Sequence, residues 1–460
     1  MKNLKLNFLL EAVSGKLLQG SNLIEISGVS IDSRSIDENE VFFAIIGEKF
    51  DGHDFIKDAI ANGAVAVVVD RKINEVTEDI AIILVDDTSA ALQDLAKNYR
   101  LKLDGLTVIG ITGSAGKTST KDMLASVMSM RKKTKKTKGN LNNYYGLPLT
   151  LLDFEGDEDI AVLEMGMSDL GEIELLTDIA QPQIGVITNV GEAHLETLGS
   201  VENVAKAKSE LISALPKDGL AILNYDNNYV RAMKEVYKGE KIIYYGLSRE
   251  ADIYADNIKT RMDGSIEFSV NYQEEVNDIL LNRTGRHNVY NALAVIAVAR
   301  HYNLTYQEIQ KGFDKIDYSA LRWDIKETSQ GIKVINDTYN ANPLSMRAAI
   351  EAVKDMDANN TILALGSMLE LGEKEEISHR ELGQFVASKN IDYLVTIGDI
   401  ATGISNAAIE SGMDDNRVIN FNNKKDAAAY LEKISKKNDL ILVKGSRGNK
   451  LENIVTKLLS

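Results

Sequence analysis

The sequence predicts an α/β protein of three domains, on three observations. Its 460 residues make about three domains at roughly 100–200 residues each. From Leu106 onward, strand-sized apolar runs alternate with helical stretches, the pattern of βαβ units and parallel sheets. Between one such strand and its helix lies a glycine-rich turn, from Gly110 to Thr118 (GITGSAGKT), of a kind that cradles phosphate. Composition agrees, since 44% apolar and 26% charged residues exclude a largely disordered or fibrous chain. Cysteine is absent, so there can be no disulfide framework, thiolate metal site or cysteine nucleophile.

In chain order, Leu6, Leu9, Leu10 and Val13 recur at helical spacing and predict an amphipathic surface helix. The apolar stretch there is too short for a signal peptide and contains Glu11. Strands are expected at 41–46, 64–69 and 81–85, with a helix over 54–62. A polar stretch at 86–89 marks the first boundary, giving an N-terminal domain of residues 1–85. The central domain, 86–315, has strands at 106–112, 160–164 and 184–189 and closes with an Ala-rich helix over 288–300. The C-terminal domain, 316–460, has strands at 333–337, 361–366, 393–398, 417–421 and 440–444. Its helix carrying Ala427, Tyr430, Leu431 and Ile434 completes a doubly wound, Rossmann-like pattern.

A formal net charge of −16 suits a cytoplasmic protein and argues against nucleic acid as partner, because phosphates must be met by Lys and Arg. No apolar run approaches the roughly 20 residues that span a bilayer. One basic run stands against the trend, from Arg131 to Lys138, with six cations in eight residues. It reads as a solvated helix C-terminus, where cations oppose the macrodipole, or else as an attractor of a polyanion.

The chemistry is concentrated after strands. In the glycine turn, Gly113 and Gly116 let the N–H groups of Ser114, Ala115, Gly116 and Ser119 face phosphate oxygens at a helix N-terminus. Lys117 would reach the β- and γ-phosphates and the Thr118 hydroxyl would hold Mg²⁺. The match to the general P-loop is off by one residue, because that pattern's first glycine would fall at Ile111. Glu164 ends a second strand and His194 follows a third, so Thr118, Glu164 and His194 could share a Mg²⁺ shell. Asn288 and Asn291 lie on one face of a starting helix and could read a base edge, or Asn288 could simply cap that helix. Asp337, Tyr339, Asn340 and Asn342 follow a strand of the last domain, again at a ligand-binding edge, or form no more than a turn.

Together these segments resemble the Mur ligase family over nearly the whole chain. The resemblance rests on 28–34 (GVSIDSR), 47–53 (GEKFDGH), 112–118 (TGSAGKT), 139–143 (GNLNN), 337–343 (DTYNANP) and 444–447 (KGSR). It accounts for the departure from the general P-loop, while Ser367, in 366–372 (GSMLELG), stands where the family pattern has Asp.

The resemblance implies an ATP-dependent ligase that joins D-alanyl-D-alanine to UDP-N-acetylmuramoyl-tripeptide through an acyl phosphate, working as a monomer. Its N-terminal domain would bind UDP, with Ser33, Arg34 and Lys49 near the diphosphate. Asn140, Asn142 and Asn143 would face the substrate, and Tyr339, Asn340 and Asn342 the dipeptide. Asn288 and Asn291 would contact adenine, with Arg322 and Asp337 approaching from the C-terminal domain. Lys117, Glu164, His194 and Lys208 would be the catalytic set. Thr118, Glu164 and His194 would bind Mg²⁺, and Lys208, or its rival Lys206, would be a carbamate bridging a second Mg²⁺. Two alternatives differ in chemistry: a folylpolyglutamate-synthase-type ligase, and a P-loop ATPase switch that turns over nucleotide without an amine acceptor.

Overall fold

The architecture is that of a computed structural model describing residues 4–73, 80–261, 263–319, 321–354 and 356–460. Three α/β layers follow one another along the chain. The first holds a five-stranded sheet in the order Lys16–Gln19, Ala81–Leu84, Ala66–Val69, Glu40–Phe43 and Gly28–Ser30. All its pairings are parallel except the first. Leu6 and Leu9 of the helix Leu6–Ala12 are fully buried, the apolar face that the helical spacing anticipates.

The central sheet has nine strands. Third from one edge, Thr107–Thr112 lies between Ile160–Glu164 and Ile184–Ile187, both parallel to it. The helix Arg286–His301 is buried from Ala292 to Ala299 and packs with Lys117–Met128 on one face. Two features depart from expectation. Ile253–Thr260, Ile266–Tyr272 and Glu275–Leu281 add antiparallel pairings to a sheet predicted as parallel. A further helix, Tyr306–Phe313, follows the one expected to close the domain, and Thr305 and Glu308 form its capping box.

The last sheet has six strands, parallel except where Asp324–Glu327 pairs with Lys333–Asp337 at one edge. Separate apolar clusters cover its two faces, as a doubly wound sheet requires.

The first cations of the basic run, Arg131 to Lys133, follow the end of the helix Lys117–Met128 and are exposed, as a solvated helix end requires, while the rest continue into a strand. Thr134–Lys136 is the edge strand of the central sheet, and every cation of the run meets a carboxylate. Arg131 pairs with Glu308 at 2.6 Å, Lys132 with Asp159 at 3.8 Å, and Lys133 with Asp157. Lys135 and Lys138 share Asp153 at 3.2 and 2.9 Å, and Lys136 meets Asp122 at 2.6 Å. Lysines on an exposed edge also discourage strand-to-strand aggregation.

Candidate functional site

Three adjacent parallel strands deliver the site. Register pairs Glu164 with Ile111 and Ile187 with Thr112, so the glycine turn, Glu164 and the segment leading to His194 leave the sheet at one edge. Side chains opposite fix the turn's shape. Asn189 accepts from Ala115 N–H at 2.9 Å and donates to its carbonyl at 3.0 Å, while Thr188 Oγ1 donates to the same carbonyl at 2.6 Å. Gly116 has φ +84°, and a Cβ there would stand 2.5 Å from Asn291 Oδ1. At Gly113 a Cβ would overlap Thr188 Oγ1. Glycine is required at both positions by this close approach.

Beyond the turn opens a cleft of about 710 Å³ between the central and C-terminal domains. Of the residues anticipated from sequence, Ser114 to Ser119, Asn288, Asn291, Arg322, Asp337, Asn340 and Asn342 line it. Lys117 is half-buried in its wall, donating to the Gly113 carbonyl at 2.7 Å. Burial pushes its pKa down, Arg322 adds to that effect, and Glu164 and Glu370 oppose it. Lys208 is 1% exposed, and burial first, then the neighbouring Lys117 charge, drives its pKa well below the usual lysine value. Lys206, two residues earlier on the same helix, is exposed. Cations thus converge where carboxylates are few, an arrangement that suits a polyanion.

The carboxylate of Glu164 is 2% exposed. Its Oε1 accepts from Asn142 Nδ2 at 2.9 Å, whereas Oε2 is buried without a hydrogen-bond partner and lies 3.7 Å from Lys121 Nζ. Thr118, nearby on the first turn of its helix, supplies a hydroxyl. One orphaned carboxylate oxygen and a hydroxyl are hard ligands that fit Mg²⁺, which takes one or two carboxylates and completes its shell with phosphate and water. His194, held at φ +55°, gives Nδ1 to Glu370 Oε2 of the C-terminal domain at 2.7 Å, leaving Nε2. Among the described residues no three His, Asp or Glu side chains converge as a metal site.

Several anticipated contacts differ from expectation. Asn288 donates to the Thr284 carbonyl at 2.8 Å and Asn291 to Asn288 Oδ1 at 3.3 Å. With Thr120 donating to Asn291, these amides brace the wall under Gly116, so much of their capacity to read a base is already used. The oxygen of Asn143 accepts from Tyr145 and Gly146 N–H and caps a helix start. Asn142 turns toward Glu164, while Asn140 stays exposed. In the C-terminal domain Asn342 donates to the Ser114 carbonyl at 3.1 Å and accepts from Ser345 N–H, so it ties its domain to the glycine turn. Asn340 accepts from Ala341 N–H, and the Tyr339 ring lies under the Arg322 guanidinium at 4.0 Å.

Ser33, Arg34 and Lys49 lie apart from the cleft, on loops after the parallel strands Gly28–Ser30 and Glu40–Phe43. Arg34 pairs with Asp32 at 2.7 Å and Lys49 is exposed. The loop after Asn143 meets the helix Thr88–Arg100 that opens the central domain, with Tyr145 and Ser89 hydroxyls 3.2 Å apart.

Sequence reasoning missed Asn189, Lys121, Arg283, Glu370 and Lys444. Asn189 sat in plain view beside the strand end that yielded His194. Lys444 bonds Asp337 at 2.6 Å and is 3% exposed on its side chain, a buried pair from two strands far apart in sequence.

Comparison with known proteins agrees with this geometry. The profile described as Mur ligase middle domain matches residues 111–299. The Mur ligase glutamate ligase domain matches 321–447, and the Mur ligase family catalytic domain matches 25–100. The chain is 40% identical to the UDP-N-acetylmuramoyl-tripeptide–D-alanyl-D-alanine ligase of Bacillus subtilis (strain 168), covering 94% of this chain and 93% of that one. A crystal structure of MurF from Acinetobacter baumannii superposes with a TM-score of 0.91 at 30% identity, covering 100% of this chain and 99% of that one. The MurF ligase from Thermotoga maritima, in complex with ADP, gives 0.82 at 29% identity, covering 94% and 96%.

Proposed function

The chain belongs to the Mur ligase family, and from that membership and the cleft we infer its reaction. It is an ATP-dependent ligase of peptidoglycan precursor synthesis. It joins D-alanyl-D-alanine to the C-terminal carboxylate of UDP-N-acetylmuramoyl-tripeptide, yielding the pentapeptide, ADP and phosphate. One observation supports this reading above the rest: Asn342, in the segment expected to meet the amine substrate, reaches across the cleft to the Ser114 carbonyl of the phosphate turn. Donor and acceptor machinery meet in one cleft.

The nucleotide's phosphates fit the turn's N–H groups, with Lys117 at their far end. An oxygen of the tripeptide carboxylate attacks the γ-phosphorus and ADP departs. The amine of the dipeptide then adds to the acyl carbon, phosphate leaves with its oxygens, and the amine loses a proton. Lys117 and Arg322 stabilise negative charge as the phosphoryl group moves. Asn342 and the His194–Glu370 pair hold the C-terminal domain against the central one, which keeps water from the acyl phosphate. Mg²⁺ bound through Thr118, Glu164 and His194 would neutralise charge on the phosphates. Lys208, enclosed and inclined to the neutral amine that reacts with carbon dioxide, is proposed as the carbamate partner of that site, and exposed Lys206 is not.

Asn288 and Asn291 are proposed to border the adenine, with Asp337 facing the nucleotide from the other side. Asn140, Asn142, Tyr339 and Asn340 are proposed to border the peptide substrates, and Ser33, Arg34 and Lys49 the uridine diphosphate. The division at residues 85 and 315 is proposed from the limits of the three sheets. We place the enzyme in the cytoplasm as a monomer, with small-molecule substrates as its only partners. The charge of −16 supports this, and among the described residues no helix is long and apolar enough to cross a membrane.

An acceptor screen tests the reaction: phosphate release with ATP and UDP-N-acetylmuramoyl-tripeptide should require D-alanyl-D-alanine. Turnover with L-glutamate instead would favour the folylpolyglutamate-synthase type, and turnover without any amine the ATPase switch.

A further inference from the structure

Where the chain enters the C-terminal domain, residues 321–323 form a conformationally unusual turn. Leu321 has φ +62° and Trp323 has φ +51°, the left-handed region that branched and bulky side chains enter only when held there. Arg322 sits between them. Its guanidinium stacks on Tyr339 and lines the cleft, and its Nε is buried without a hydrogen-bond partner. Arg322 also lies near enough to Lys117 to lower its pKa, against the opposing influence of Glu164 and Glu370, so two cations approach the same end of the cleft.

The turn is held from both domains. On the C-terminal side, Tyr339 N–H donates to the Leu321 carbonyl at 3.1 Å and Trp323 N–H to Asp337 Oδ1 at 3.3 Å. On the central side, Asp122 accepts from Ser319 N–H and Oγ, upstream of the strained pair. Arg283 grips the turn itself. Its Nη1 donates to the Arg322 carbonyl at 2.8 Å and to the Trp323 carbonyl at 2.9 Å. Its guanidinium lies 3.6 Å over the Tyr318 ring, which fixes the fork in place. A single side chain of the central domain thus holds the two peptide units on either side of Trp323, the first of which leaves the Arg322 Cα and fixes the backbone on that side of it.

We propose that Arg283 is a positioning residue, clasping the strained turn so that Arg322 is aimed at the phosphate end of the bound nucleotide. The proposal rests on the reading of Arg322 as a nucleotide contact. It predicts that Arg283 matters to nucleotide binding only through Arg322, although both line the cleft.

A double-mutant cycle on the intact enzyme separates the possibilities, with ATP affinity measured by titration. Trp323 is the chain's one tryptophan, so its fluorescence reports on the turn directly. R322M should weaken ATP binding about tenfold or more, the scale of a charge-assisted hydrogen bond. R283M should weaken it by a similar factor and shift Trp323 emission, while the double variant binds within about twofold of R322M alone. Should R283M fail to melt cooperatively, R283K keeps the charge without the fork and should show the same coupling. Full additivity would overturn the proposal by making Arg283 an independent contact, as would unchanged affinity and emission in R283M. Unchanged affinity in R322M would instead remove the nucleotide reading of Arg322 on which the proposal stands.

Discussion

Lys117→Met separates what a charge does for catalysis from what it does for the fold. Lys117 is half-buried in the cleft wall, and that burial lowers its pKa, so the folded protein carries this ammonium at a cost. Methionine keeps most of the length, removes the charge, and loses one hydrogen bond to the Gly113 carbonyl. That bond is worth about 1 kcal/mol, and relief of the buried charge offsets it. Stability should therefore change by no more than about 1–2 kcal/mol, which is a shift of a few degrees in Tm. Catalysis should suffer far more. Losing one donor aimed at developing phosphoryl charge removes about 10²–10³ in kcat, or about 2.7–4 kcal/mol. The assay is phosphate release at saturating ATP, tripeptide and dipeptide, beside a thermal melt of the same sample. A kcat within about threefold of the parent would refute the assignment of Lys117 to the phosphates. A kcat loss accompanied by a collapse in Tm would refute the claim that its charge is a burden to the fold.

Two other perturbations have defined outcomes. Lys208→Ala should lose most activity and regain part of it with added short carboxylates, which can occupy the vacated space, whereas Lys206→Ala should stay near the parent rate. Equal effects at both positions would defeat the carbamate reading. Burial, aided by Lys444 and Arg283 and opposed by Asp337, lowers the His287 pKa to about 4. The unfolded chain takes up this proton near pH 6.5 and the folded one does not, so stability present above pH 6.5 drains as pH falls toward 4. His287→Gln should flatten that loss in urea unfolding at pH 7.5 and pH 5, and an identical loss in both proteins would contradict the shift.

Much of the fold was legible because it is written in local pattern. Strands at 160–164, 333–337, 361–366 and 440–444 were read with the bounds found here, each a short apolar run that a buried parallel strand demands. The antiparallel extension was missed for a chemical reason. Its hairpin pairs Tyr272 with Glu275 around Gln273 and Glu274, both at positive φ, where the usual Asn-Gly signal is absent. The helix Tyr306–Phe313 was a plainer oversight, since Thr305 and Glu308 spell its capping box. In the site, the turn and Glu164 could be placed because the strand ends bring them together. The second roles of Asn142 and Asn342 could not, because their hydrogen-bond partners, 22 and 228 residues away, are set by tertiary packing. The same limit hid Glu370, which reaches His194 only once two domains have docked.

The account's central claim is that the phosphate turn serves to activate a carboxylate. Tripeptide labelled with ¹⁸O in its terminal carboxylate tests it most directly, read by mass spectrometry of the phosphate released on ligation. Transfer of one labelled oxygen to phosphate is the predicted result. Unlabelled phosphate with full ligation would mean that the acid is never phosphorylated, and the mechanism built around Lys117 would fail.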